Sequence, residues 1–393
     1  MKIKQLTALV LAVVTACVGV GFAVSSRRTI SDESLELSPT QFVTTAKRTA
    51  SVNMLAVGDN LIHKPIYEQA QSRTSDGSYD FSPVYANLKD LITAADIAVI
   101  NQETMMSSLH EVSTYPCFNT PTVMAKQLAD LGFDVLTIAN NHMLDKASKG
   151  LISTLDLINS TEGLLASGAY HSREEYTDLE IVEVDGITFA FLSFTEHTNG
   201  ITLPTDKEDY AIYLEEREDV RLQVEYADKA ADVVVVSMHA GVEYSDEPYY
   251  VQTEFAQDVV NWGADLILGT HPHTLQPVEY LTNPEGKEVP VLYSLGNFVS
   301  AQNKPKRLIG GMANITFHKD FSTGEVTIDK PLFDIVITHY RAGYSGLKLY
   351  RLADYTDSLA ASHGVGDFSL DFIYDHIRTV IGDEYLIDVY KTK

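Results

Sequence analysis

The stretch Asp134–Asp145, DVLTIANNHMLD, decides how the rest of this sequence is interpreted. It begins with a short apolar run, 135–139, of the kind that forms a buried strand. The run ends in Asn-Asn-His at 140–142, and Asp145 follows three residues later. A helix cap would explain one asparagine but not the whole Asn-Asn-His-x-x-Asp pattern. The stretch therefore indicates a functional site at the carboxyl end of a strand.

The same pattern, an apolar run followed by polar side chains, recurs along the chain. Predicted strands at 52–57, 97–100, 233–236 and 266–268 are followed by Asp59, Glu103, His239, His271 and His273. Helices are predicted between strands at 83–95, 121–131, 149–158, 215–231 and 250–262. Such alternation predicts an α/β fold, in which ligands bind beyond the carboxyl ends of the strands. We therefore expect one shared site.

The residue types at these strand ends are those of a metal centre. Neutral imidazole favours Zn, Fe, Mn or Ni, and carboxylate and amide oxygens extend the set to two-metal sites. His142 can either ligate a metal or donate a proton, and Asp145 can orient it. His271 and His273 flank a proline, which predicts an extended segment with both imidazoles on one side. Candidates for further ligands or substrate contacts are Asn60, His63, Asn199, Glu243 and Asn297.

Composition limits the classes of partner. The chain has 393 residues, of which 45% are hydrophobic, so a large core is expected. The net charge of −25 repels phosphate backbones, and we expect no nucleic-acid partner. With only two cysteines, Cys17 and Cys117, the sequence has no disulfide framework and no cysteine-based metal site.

The N-terminus contains an apolar run, 6–24, that is long enough to cross a hydrocarbon core of ~30 Å. It predicts a signal anchor within 1–25, which makes a single-pass cell-membrane protein with its folded part outside the cytoplasm. Two alternatives are a lipoprotein attached through Cys17 and cleavage near Ala23–Ser25. Residues 26–49 are rich in Ser, Thr and Glu, which is typical of a flexible linker.

The C-terminal part, 301–393, lacks the strand-end pattern. It contains predicted strands at 312–317 and 325–337 and a predicted helix at 371–381. We interpret it as an α+β extension that packs on a core of residues 50–300. Its basic loop is interpreted as solvated surface, with an anion site as the alternative. The loop contains Lys304, Lys306 and Arg307.

Seven segments of the chain resemble the CapA family of poly-γ-glutamate capsule biosynthesis proteins, also called the PGA-cap domain. They are AVGDNLIH (56–63), NQET (101–104), FNTP (118–121), ANNHMLDKASKGL (139–151), MHAGVEY (238–244), GADLILGTHPHTLQP (263–277) and YSLGNF (293–298). That family resembles a branch of the calcineurin-like metallophosphoesterase superfamily. The resemblance implies a metallophosphatase-like, layered α-β-β-α core.

The resemblance also implies roles for individual residues. One or two divalent ions, Zn, Mn or Fe, would be held by Asp59, Glu103, Asn141, His239, His271 and His273. His142 would be the general acid, with Asp145 beside it. The implied role is in poly-γ-glutamate capsule biosynthesis or export at the outer face of the membrane. The expected activity is metal-dependent hydrolysis or transfer on a cell-envelope polymer such as poly-γ-glutamate, with a membrane synthesis or export complex as a partner. Alternatives are a non-catalytic polymer-binding component and a phosphoesterase unrelated to capsule.

Overall fold

The computed structural model describes residues 49–391. The predicted anchor at 1–25, Cys17 and all but the last residue of the predicted linker lie outside this range. No helix within the described residues is long and apolar enough to cross a membrane.

The described residues form fifteen strands. They are β1 (Thr49–Asn60), β2 (Ile97–Asn101), β3 (Val135–Thr137), β4 (Leu165–Ser167), β5 (Val182–Val184), β6 (Ile187–Thr195), β7 (Val233–His239), β8 (Leu266–Thr270), β9 (Val278–Thr282), β10 (Glu288–Leu292), β11 (Asn297–Val299), β12 (Ile309–Asp320), β13 (Val326–Ile328), β14 (Leu332–Arg341) and β15 (Ser345–Arg351).

The same range contains ten α-helices. They are α1 (Lys64–Ser72), α2 (Ser82–Tyr85), α3 (Lys89–Ala94), α4 (Val123–Leu131), α5 (Ala147–Ser160), α6 (Arg217–Ala230), α7 (Tyr250–Trp262), α8 (Asp357–Ala361), α9 (Leu370–Val380) and α10 (Asp388–Lys391).

Two mixed sheets form the centre of the fold. The first has the order β15-β14-β12-β1-β2-β3-β4, with β11 on β1 and β13 on β12. The second has the order β5-β6-β7-β8-β10-β9. Strands β1 to β4 are mutually parallel, as are β6, β7 and β8, so their carboxyl ends meet at shared edges. The predicted α/β fold is confirmed.

The valine run of β7 shows how the sequence builds the layers. Val233–Val236 are all buried, and successive side chains of a strand point to opposite faces. Val233 and Val235 join the core shared by both sheets, whereas Val234 and Val236 pack with the apolar faces of α6 and α7. The helices α4 and α5 supply the corresponding apolar cover for the first sheet.

Two features differ from the expected pattern. The helix predicted over 83–95 is divided into α2, a 3-10 turn at Ala86–Leu88 and α3. Within that turn the Asn87 side chain donates a hydrogen bond of 2.7 Å to the Leu349 carbonyl of β15. In addition, β12 pairs antiparallel with β1 along Thr49–Val57, so the first sheet continues across residue 300.

Candidate metal centre

The ends of β1, β2, β7 and β8 place buried polar side chains at adjoining edges of the two sheets. Asp59 lies opposite Asn101 in the β1–β2 pair, and His239 lies opposite Thr270 in the β7–β8 pair. The loop after β2 carries Glu103. All five side chains are essentially excluded from solvent. The structure therefore brings residues from both sheets to one buried centre.

The first cluster consists of Asp59, Glu103 and His273, whose ligand atoms all lie within 4.8 Å of one another. The Asp59 Oδ2 atom is 3.0 Å from Nδ1 of His273. The Nε2 atom of His273 is 3.7 Å from a Glu103 carboxylate oxygen. Neither oxygen of Glu103 has a hydrogen-bond partner among the described residues. The trio thus presents two carboxylates and one imidazole to a common point.

The electrostatics of this cluster follow from burial and from the two carboxylates. Burial raises the pKa of Glu103 well above its usual value; His273 opposes the rise, and Asp59 adds to it. Burial lowers the pKa of His273, but Glu103 and Asp59 outweigh that effect and raise it to about 9. A buried carboxylate without donors is unfavourable unless a cation neutralises it. The donor set of Asp59, Glu103 and His273 therefore fits a divalent metal ion.

The second cluster consists of Asn141, His239 and His271. The Nε2 atom of His239 lies 3.0 Å from Oδ1 of Asn141 and 3.2 Å from Nδ1 of His271. Burial, together with the neighbouring imidazoles, lowers the pKa of both histidines well below the usual value. They are therefore neutral at pH 7, the form that ligates metals. On its other side, Nδ1 of His239 is 2.9 Å from the Thr270 hydroxyl.

Asn101 connects the two clusters. Its Nδ2 atom donates to Oδ1 of Asp59 at 2.8 Å and lies 3.3 Å from Nδ1 of His239. Sequence reasoning singled out Glu103 in this segment and missed Asn101. The available signal was position, because Asn101 directly follows the apolar run of β2.

His142 and Asp145 form a pair at the edge of the second cluster. Nδ1 of His142 is 2.8 Å from Oδ2 of Asp145, which also accepts a hydrogen bond of 2.6 Å from the Phe118 amide. The Phe118 ring meets the His142 ring edge-on at 4.7 Å between centroids. Asp145 thus orients the imidazole. Phe118 lies in one of the quoted segments, but its contact with His142 was not predicted.

The segment that carries His271 and His273 is not extended, as the sequence had suggested. Both residues have left-handed backbone conformations, with φ of 99° and 59°. Such conformations are costly for residues with a side chain and persist where the surroundings fix them. The turn directs His271 to His239 and His273 to Asp59. The prediction of an extended segment is therefore wrong, although the two rings lie close together, with 6.1 Å between their centroids.

Two of the further candidates already have polar partners near the end of β1. The Asn60 amide donates to Gln102 at 2.6 Å and accepts from the Tyr85 hydroxyl at 2.7 Å, so its polar atoms are already used. His63 is held by the Leu61 carbonyl at 3.1 Å, and burial lowers its pKa to about 4. Both side chains stabilise the end of β1.

The other three candidates lie around the centre. The Asn199 amide nitrogen is 3.4 Å from Nδ1 of His142, on an exposed loop. Glu243 is exposed, and its charge raises the pKa of His273 after the larger effects of Glu103 and Asp59. Asn297 is buried opposite Asp59 in the β1–β11 pair.

The family model described as "Bacterial capsule synthesis protein PGA_cap" matches residues 53–302. This chain belongs to that family. The matched range contains every residue of both clusters. It ends before the basic loop at 304–307, which the family match therefore does not describe.

Curated relatives agree with this assignment. The PGA biosynthesis protein CapA of Bacillus subtilis is 28% identical over 259 residues, which cover 63% of this chain and 62% of the relative. The capsule biosynthesis protein CapA of Bacillus anthracis is 34% identical over 182 residues, which cover 45% and 42%. The chain thus spans less than two thirds of the length of either relative.

Solved structures show weaker similarity. The NAD nucleotidase of Haemophilus influenzae has 15% identity and a TM-score of 0.45, over 86% of this chain and 64% of that one. A putative 5'-nucleotidase of Staphylococcus aureus has 16% identity and a TM-score of 0.43, over 78% and 55%. TM-scores of this size support no assignment of activity.

Proposed function

We propose that this protein is a metal-dependent hydrolase or transferase that acts on poly-γ-glutamate at the outer face of the cell membrane. The observation that carries the proposal is the Glu103 carboxylate, fully buried beside Asp59 and His273 without any hydrogen-bond donor. A purely structural site would supply donors to those oxygens.

Each of the two clusters would bind one metal ion. Asp59, Glu103 and His273 would hold one divalent ion, of Zn, Mn or Fe type, and the second cluster would hold another. Asn101 would fix the distance between them through its contacts with Asp59 and His239. Bound ions supply Lewis acidity at the bond to be cleaved.

Proton transfer is assigned to His142. Asp145 accepts a hydrogen bond from Nδ1 of His142, which leaves Nε2 to donate a proton to the leaving group. The Phe118 ring limits rotation of the imidazole by its edge-on contact. Asn199, on the exposed side, would contact the substrate next to this proton donor.

The substrate class is inferred from the family and from what its curated relatives are named for. The Bacillus relatives carry the names of PGA and capsule biosynthesis proteins. The membrane location rests on the apolar run at 6–24, and a synthesis or export complex is the proposed partner.

The test uses the full-length chain purified in mild detergent. Elemental analysis measures bound Zn, Mn and Fe, and turnover is measured on a phosphodiester and on a γ-linked glutamate oligomer. We expect bound metal in the wild type and in His142→Ala, with turnover reduced at least a hundredfold in the variant. His318→Ala, remote from the centre on β12, is the matched control and should retain activity. A wild type that binds no metal and cleaves neither substrate would refute the proposal.

A further inference from the structure

Arg307 lies beside the candidate metal centre and forms no ion pair with any residue in the range 49–391. Its guanidinium carbon lies 3.2 Å from the centroid of the Tyr244 ring. Its Nε atom is buried and has no hydrogen-bond partner in the part of the chain that the structure describes. The neighbouring Lys306 differs, because it forms an ion pair with Asp246. In a chain with 54 acidic and 29 basic residues, a half-buried arginine left without a carboxylate requires an explanation.

The backbone of Arg307 is fixed relative to the centre by Asn297. The Asn297 amide nitrogen is 2.9 Å from the Arg307 carbonyl and 3.4 Å from the His273 carbonyl. Asn297 also pairs with Asp59 across the β1–β11 ladder. One buried amide therefore ties the basic loop to the two strand ends that form the first cluster.

Tyr244 fixes the side chain of Arg307. The Tyr244 ring lies 6.0 Å from the His273 ring, and its amide donates a hydrogen bond of 2.7 Å to the Pro272 carbonyl. Burial and the adjacent Glu243 raise the pKa of the Tyr244 hydroxyl to about 12. The phenol is therefore neutral at pH 7, and it orients the guanidinium without compensating its charge.

We propose that Arg307 binds an oxyanion of the substrate, a carboxylate or a phosphate, next to the metal centre. A guanidinium offers planar, paired donors that match either group, and stacking on an aromatic ring holds that plane in place. The inference rests on the proposed function and adds the position at which an acidic group of the substrate is held. Solvated surface remains a sufficient description of Lys304 and Lys306, but not of Arg307.

The experiment measures binding rather than turnover. The full-length, metal-loaded chain is titrated calorimetrically with a γ-linked glutamate oligomer and, separately, with inorganic phosphate. The variants are Arg307→Met, Arg307→Lys and the control Arg217→Met. Arg217 also lies over an aromatic ring, Phe255, but pairs with Asp258 on α7. The control therefore makes the same change in net charge away from the proposed site.

We expect Arg307→Met to weaken binding about tenfold, which corresponds to about 1.4 kcal/mol. Arg307→Lys should lose less affinity than Arg307→Met, and the affinity of Arg217→Met should stay within about twofold of that of the wild type. If Arg307→Met weakens binding of the oligomer alone, the oxyanion bound by Arg307 is a carboxylate. If it weakens binding of phosphate alone, the oxyanion is a phosphate. Metal content and melting temperature should not change in Arg307→Met.

Equal affinities of Arg307→Met and the wild type would overturn the inference, as would an equal loss in Arg217→Met. Loss of metal from Arg307→Met would also overturn it, because the residue would then act on the centre itself. A wild type that contains metal and turns over, but whose binding is insensitive to Arg307, leaves the proposed function intact. A wild type without metal or turnover refutes the proposed function instead.

Discussion

Replacing Glu103 by glutamine tests whether the buried carboxylate exists to hold a cation. Glu103 has no exposed surface and no hydrogen bond to either oxygen. A buried polar group without a partner costs about 1–3 kcal/mol, and more if it is charged. Glutamine keeps the size of the side chain and removes the charge. In EDTA, we therefore expect Glu103→Gln to be at least as stable as the wild type.

With metal present, the wild type should be more stable than Glu103→Gln. An ion at a hundred times its dissociation constant adds about 2.7 kcal/mol to the free energy of unfolding. For a chain of this size that gain raises the melting temperature by about 3–4 °C. Glu103→Gln should gain less than half as much, because one of the three ligands of the first cluster is weakened.

The assay is thermal unfolding of the full-length chain in EDTA and in excess Mn²⁺ or Zn²⁺. Asp334→Asn is the control, since Asp334 is also buried but is bonded by Arg351 and Tyr390. Its free energy of unfolding should fall by about 2 kcal/mol or more, both with and without metal. The reasoning would be refuted if Glu103→Gln were less stable than the wild type in EDTA and if metal raised its melting temperature as much as that of the wild type.

Three further outcomes are expected. Asp145→Asn should lower turnover at least tenfold with unchanged metal content; unchanged turnover would argue against its role at His142. Gly58→Ala should unfold the protein or lower the free energy of unfolding by more than about 3 kcal/mol in denaturant titration, because its Cβ would lie 1.8 Å from the Gly296 carbonyl oxygen. The control Gly77→Ala, in open space, should lower it by about 1 kcal/mol. Burial lowers the pKa of His339 to about 4, so the unfolded chain binds the extra proton between about pH 6.5 and 4, and stability falls as the pH drops through that window. His339→Phe should reduce that pH dependence by about 2 kcal/mol in unfolding measured across the window, and an unchanged slope would contradict it.

Local sequence was sufficient to predict the strands whose ends carry the candidate metal centre. Buried parallel strands read as apolar runs, and polar residues directly after them stand out. Asp59, His239 and the Asn141 segment were found in this way, and the structure brings them together. Their roles as ligands remain predictions.

Long-range and conformational features were not available from the pattern. The pairing of β12 with β1 joins segments far apart in the chain, and antiparallel partners leave no mutual signature in a single sequence. The left-handed turn at His271 and His273 departs from what proline suggests, because tertiary contacts fix it. The stacking of Arg307 on Tyr244 was not available either, because the two residues lie in different loops; the basic loop had been interpreted as solvated surface, with an anion site as the alternative.

The position of β1 between β2 and β12 has a consequence for synthesis of the protein. A ribosome delivers β1 before its partners, and β12, which pairs with Thr49–Val57 of β1, is made only after most of the fold. Until then the nascent chain carries an open, apolar strand edge, which is an aggregation hazard. The end of β1 that carries Asp59 is therefore paired on both sides only once the chain has been made through β11.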